Sequence, residues 1–230
     1  MQKKLIIANW KSHKNKQEII TWLQTFRTGV ENLKLDAYQI VIAPAFPFID
    51  LVGQILADLP GCSIGAQDVS PYPLGKYTGA VAATQLKNLG CSHVLIGHSE
   101  RRQYFKETSQ VVVQKVDQAL DNQIQPIICI TQAEISHQAE ALSKEARTHS
   151  IVAYEPISAI GTGMGEDVLQ VQTVSQEIKA KFGPVPILYG GSVNPNNVNE
   201  YLLVTDGILV GTASLEVEEF LNLLKKIEED

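Results

Sequence analysis

The chain repeats one alternation eight times. Short runs rich in Ile, Val and Leu fall at residues 4–9, 39–43, 63–67, 93–97, 126–130, 151–155, 186–189 and 207–210. They do not alternate with polar residues, which is the pattern of parallel strands covered on both faces. Between them the apolar spacing becomes helical. Ile19, Leu23, Phe26 and Val30 share a face, as do Val168, Val171, Ile178 and Phe182. Phe220, Leu221 and Leu224 form a last stripe. Such stripes read as core, not as binding surfaces. Strands separated by helices imply right-handed βαβ units. Eight units in 230 residues predict one α/β domain, a closed (β/α)8 barrel over residues 1–230. A doubly wound open sheet is the weaker alternative.

Charge and cysteine content narrow the function. The net charge is −6, which argues against a nucleic-acid partner because such proteins usually carry a basic face. An anionic ligand must then be caught by local groups, not by a global field. No run approaches the roughly 20 apolar residues of a membrane span. The apolar stretch near Met1 is too short for a signal peptide. Cys62, Cys91 and Cys129 are odd in number and lie in or beside apolar runs, so they read as reduced thiols of a cytoplasmic protein. No Cys/His spacing suggests a metal site.

Barrels of this kind place their active sites at the C-terminal ends of the strands. The tips carry Asn9 and Lys11, Gln67, His98 to Arg101, Cys129, Glu155, Tyr189 to Ser192, and Gly211 with Thr212. Glu155 is the most pointed of these. It ends an apolar run, Pro156 stops the strand, and a glycine-rich stretch through Gly161 and Gly163 follows. A carboxylate there suits proton abstraction; the bland reading is a surface acid that ends a strand. Lys11 could neutralise an oxyanion, although a lone lysine is more often merely solvated. His98, followed by Ser99 and Glu100, is better placed for chemistry than for packing. Two glycine-rich turns, at Tyr189 to Ser192 and at Gly211 and Thr212, could present backbone amides to a phosphate.

Five blocks, in order along the chain, resemble the triosephosphate isomerase family. They are Asn9-Trp10-Lys11; Ile96 to Arg102 around His98; Tyr154-Glu155-Pro156 with Ala159 to Gly163; Tyr189-Gly190-Gly191-Ser192; and Asp206 to Gly211. The resemblance implies a TIM barrel that interconverts glyceraldehyde 3-phosphate and dihydroxyacetone phosphate through an enediolate, without metal or organic cofactor. It implies Glu155 as base, His98 as neutral electrophile, Lys11 and Asn9 at the oxygens, and Glu100 linking Lys11 to His98. Gly161, Ser192, Gly211 and Thr212 would give amides to phosphate. Residues 156–164 would form a lid, latched by Tyr189 and Ser192, with Ser99 holding Glu155 when the lid is open. The loop of residues 68–79, with Tyr72, Tyr77 and Thr78, resembles the family's interface loop and implies a homodimer, with a tetramer as the other possibility.

The chain also departs from the family pattern. Ser158 stands where a tryptophan is usual, Met164 where a lysine is, and Thr212 where a second glycine is. The stretch between Gln132 and Glu155 is short. The alternatives are a different sugar-phosphate barrel enzyme or a barrel that binds phosphate without catalysis. The first would need a metal-binding His/Asp set or a Schiff-base lysine at a strand tip, and neither is found.

Overall fold

The computed structural model describes residues 3–156 and 164–228. Its centre is a closed, all-parallel barrel with strands in chain order: β1 (Lys4–Asn9), β2 (Tyr38–Ala43), β3 (Cys62–Ala66), β4 (His93–Ile96), β5 (Gln125–Ile130), β6 (Ile151–Tyr154), β7 (Ile187–Tyr189) and β8 (Gly207–Val210). β8 closes on β1, with Ile7 opposite Leu209 and Ala8 opposite Val210. Closure leaves no open edge, so the weaker alternative of an open sheet is set aside. The expected runs match these strands to within one residue at either end. The differences arise where pairing, not composition, sets the end. Glu155 lies past β6 although its N–H still donates to the Ile130 carbonyl at 2.8 Å.

Ten helices lie among the described residues: α1 (Lys16–Val30), α2 (Ile49–Leu56), α3 (Ala83–Asn88), α4 (Ser99–Phe105), α5 (Ser109–Asp121), α6 (Ile135–Ala141), α7 (Lys144–Thr148), α8 (Val168–Phe182), α9 (Val198–Val204) and α10 (Val217–Glu228). Their starts are chemically marked. Asn15 caps α1 with a full capping box through Glu18, and Asp167 caps α8 by accepting from the Leu169 and Gln170 amides. The stripes of α1, α8 and α10 bury Ile19, Leu23, Phe26, Val171, Ile178, Phe182, Phe220, Leu221 and Leu224 as expected, while Val30 and Val168 pack at the margin.

Alternation along the strands sorts the core into two layers. Even positions of β1, Ile6 and Ala8, join the shell between barrel and helices. Odd positions, Leu5 and Ile7, point inward and pack with Val41, Leu95, Ile127, Ile151, Ala153, Leu188 and Leu209. Each such buried aliphatic contributes about 1.5–3 kcal/mol, so the barrel is filled, not hollow. Carried one step further, the same parity aims Asn9 and Glu155 into the mouth above this plug.

All three cysteines are free: Cys91 and Cys129 are buried and Cys62 is half-buried. Burial pushes the Cys62 thiol up to about 11 and that of Cys91 up to about 12. Burial, and then the Glu155 carboxylate, raise that of Cys129 as well. Raised thiols stay protonated near neutrality and so do not act as nucleophiles. We predict that a disulfide reagent at about pH 8 leaves all three unmodified over minutes in the folded protein and titrates all three once it is unfolded. Rapid labelling of the folded form would contradict this.

Candidate active site

At the C-terminal mouth of the barrel a cleft of about 510 Å³ is lined by Asn9, Lys11, His98, Glu155, Gly190 to Asn194, Leu209, Gly211 to Ala213 and Glu219. Residues from five strand ends meet there. Of the residues expected from sequence, Asn9, Lys11, His98, Glu155, Ser192, Gly211 and Thr212 all line it. Gly161, Ser158 and nearly all of the expected lid, residues 157–163, lie outside the described residues.

Glu155 is 1% exposed. Its Oε2 accepts the Ser99 backbone N–H at 2.9 Å. The contact with Ser99 is therefore through the main chain. Its Oε1 lies 3.2 Å from His98 Nε2, with no donor aligned on it among the described residues. A buried carboxylate oxygen left so poorly satisfied costs about 1–3 kcal/mol, so stability alone does not account for its placement.

His98 reaches the cleft through a turn. Gly97 has φ +75, and a side chain there would strike Val112 and Arg102, each at 2.9 Å. The turn makes His98 the cap of α4, so that its Nδ1 accepts the Glu100 N–H at 3.2 Å. With Nδ1 taken up as an acceptor, Nε2 is the ring nitrogen turned toward Glu155 and the cleft. The Glu100 carboxylate pairs with Lys11 at 2.5 Å but stands 3.8 Å from His98 Nδ1. It thus bonds to Lys11, while its backbone serves His98.

Lys11 holds a left-handed backbone, φ 51, uncommon for a residue with a side chain. Two neighbours hold it there. The Asn9 side chain accepts the Lys11 N–H at 3.0 Å, and Gln67 Nε2 donates to the Lys11 and Ala43 carbonyls at 2.8 and 2.9 Å. A Cβ at 211 would sit 3.4 Å from Lys11 Cε, an ordinary contact, which places the Gly211 turn directly beside the lysine side chain. The other cradle is braced by Asn197, whose Nδ2 donates to the Ser192 carbonyl at 3.1 Å. Thr212 begins a 3₁₀ turn, Thr212–Ser214, and its residue is exposed. Tyr189 Oη accepts the Glu166 N–H at 2.9 Å.

Sequence reading named Gln67 as a tip residue without a role; its brace on Lys11 follows only from spatial closure. It missed a buried ion network. Lys115, 3% exposed, bonds Asp68 at 2.6 Å and Glu107 at 2.5 Å, and Arg101 reaches the same two carboxylates at 2.8 and 3.0 Å. Glu107 also accepts the Gly97 N–H at 3.0 Å, fixing the turn that presents His98. Only the residues' charges were legible, because the partners lie up to 47 positions apart.

A buried carboxylate beside a histidine, and a lysine beside two glycine-rich turns, meet at the C-terminal mouth of a closed barrel, the place and make-up of a (β/α)8-barrel enzyme's active site. Comparison with known proteins narrows the class. The family model described as triosephosphate isomerase matches residues 4–227. The triosephosphate isomerase of Mycoplasma mobile is 39% identical, covering 98% of this chain and all of its own length. Those of Thermus thermophilus and Dictyoglomus turgidum are 37% and 36% identical, over 98% of this chain and 99% or more of theirs. The chain belongs to the triosephosphate isomerase family.

Burial pushes Glu107 up, but Lys115 and Arg101 outweigh it and leave its carboxyl below the usual value of 4.5. A lowered folded value means stability that is present above about pH 4.5 and lost as pH falls through the folded value. Asp68 runs the other way, since burial outweighs its cations. Glu107→Gln removes the charge that Lys115 needs, so we predict a loss of about 3–5 kcal/mol near neutral pH. Below about pH 4 the gap between variant and parent should narrow. Chemical denaturation at several pH values measures both.

Proposed function

We propose that this chain interconverts glyceraldehyde 3-phosphate and dihydroxyacetone phosphate, with Glu155 as the base. The observation that supports this assignment of roles is the buried Glu155 carboxylate, with one oxygen 3.2 Å from His98 Nε2. Glu155 takes a proton from the carbon beside the substrate carbonyl, and an enediolate forms. The His98 Nε2–H hydrogen-bonds the developing oxyanion and exchanges protons between the two oxygens. Glu155 returns its proton to the neighbouring carbon, so the proton count balances within one turnover. A neutral imidazole matches the acidity of an enediol better than a cation would, the pattern already described for this family. Lys11 stabilises the negative charge, and Asn9 holds both Lys11 and the oxygen side. The amides of Ser192, Gly211 and Thr212 grip the phosphate, joined by Gly161. Glu100 keeps the Lys11 ammonium at the edge of the cleft, and Ser99 parks Glu155 between turnovers. Family membership over nearly the whole chain supports this reading.

A coupled assay with excess reporter enzyme tests it directly. The parent should convert glyceraldehyde 3-phosphate rapidly. Glu155→Asp, which withdraws the base by one methylene, should lower kcat by about 10²–10³ while phosphate-ligand affinity stays within a factor of a few. An unchanged rate would remove Glu155 from the role.

We further propose a cytoplasmic homodimer built on the loop of residues 68–79. Tyr72, Leu74 and Tyr77 are 47%, 63% and 42% exposed in one chain, and the two tyrosine rings stack at 4.5 Å. Ser70 and Val81 pin the base of the loop through a 2.8 Å bond. An apolar tip so preformed suits insertion into a second copy, near that copy's Lys11. Light scattering at micromolar concentration should give twice the chain mass, and Tyr72→Asp with Tyr77→Asp should shift it to one chain. A fully active single chain would refute the dimer.

A further inference from the structure

Three tyrosines converge on one residue that no role above uses. Tyr154 Oη donates to Glu166 Oε2 at 2.7 Å. Tyr189 Oη accepts the Glu166 N–H at 2.9 Å, and Tyr201 Oη donates to the Glu166 carbonyl at 2.7 Å. The Tyr189 and Tyr201 rings stack with centroids 3.9 Å apart. Gly165 is wedged under this group: an ideal Cβ there would fall 1.9 Å from Tyr201 Oη and 3.1 Å from the Ser192 carbonyl. The side chain, N–H and carbonyl of Glu166 are thus each held from a different element: β6, β7 and α9.

We propose that Glu166 is a positioning residue for the phosphate cradle and for the Glu155 strand end. The inference rests on the isomerase reading for the identity of the ligand. Tyr154 and Glu155 are neighbours on opposite faces of one strand, so the Tyr154–Glu166 bond ties the back of the base-bearing strand end to residue 166. Gly165, the residue before it, leaves no room for a Cβ between Tyr201 and the Ser192 carbonyl, so residue 166 sits directly behind that amide cradle. Tyr189 starts the same glycine-rich turn and is bonded to the Glu166 amide, so the clasp holds the start of the turn directly. Burial, followed by the Glu166 bond, raises the Tyr154 hydroxyl, so it remains a donor at any working pH. Loss of the Glu166 carboxylate leaves Tyr154 Oη without its acceptor and unties the β6 end from residue 166, whose backbone stays bonded to Tyr189 and Tyr201.

The test uses the whole protein with inorganic phosphate as the probe. Its Kd is measured by calorimetry, beside kcat, KM and Tm. Glu166→Ala is expected to weaken phosphate and raise KM by about tenfold, the scale of one charge-assisted hydrogen bond, with a smaller change in kcat. Tyr154→Phe should reproduce this from the other side of the bond, and the double variant should be no worse than either single one. Glu166→Gln, whose amide oxygen still accepts from Tyr154, should recover most of the loss. A lower Tm with unchanged phosphate Kd in Tyr154→Phe would mean a purely structural clasp and overturn the proposal, as would additive losses. If Glu166→Ala does not fold, Tyr154→Phe and Glu166→Gln decide alone. No turnover in the unaltered protein would overturn the isomerase reading, while phosphate affinity across the variants would still decide the clasp.

Discussion

Closure of an eight-stranded parallel sheet is the constraint on which everything else depends. Once β8 pairs with β1, alternate residues of every strand must point at the axis, and nothing inside can remain solvated. Aliphatic side chains therefore plug the interior, from Leu5 and Ile7 across to Leu188 and Leu209. The same parity, run past the plug, delivers Asn9, Gln67 and Glu155 to a single rim. Chemistry appears at the mouth because that is where inward-pointing positions first reach space for a ligand. The helices supply the opposing half of the packing and leave the rim uncovered.

The mouth also answers an electrostatic problem. A chain of net charge −6 repels an anion at long range. In the proposed mechanism capture comes from short-range groups: Lys11 and the amides of two glycine turns. Lys11 pairs closely with Glu100, but that carboxylate is more than a third exposed, so solvent screens the pair. The strong ion pairs lie elsewhere, around Lys115, where they brace the Gly97 turn behind His98. Structure and ligand capture thus use separate sets of charges.

Much of this was legible in the sequence, and the reasons are specific. Eight continuous apolar runs told of strands buried on both faces, and their count told of closure. Glu155 before Pro156, and His98 after Gly97, stood out because each breaks an apolar run with an ionisable group. What stayed hidden were contacts between remote positions whose residue types are ordinary in isolation. Gln67 under Lys11, Glu107 behind Gly97 and Tyr201 on Glu166 have no local signature. Local periodicity reports which face a residue shares, not which distant residue it meets.

The left-handed backbone at Lys11 carries a consequence of its own. A side chain in that region costs about 1–3 kcal/mol, and here the bonds that Asn9 and Gln67 make to the two ends of the residue offset it. The aim of the ammonium is thus set by its neighbours and not by the lysine's own preference. Glycine at that position would relieve the backbone but forfeit the ion pair with Glu100 and enlarge the freedom of the unfolded chain. Hardening the scaffold there is therefore no simple gain, and on the proposed mechanism it would also remove the cation.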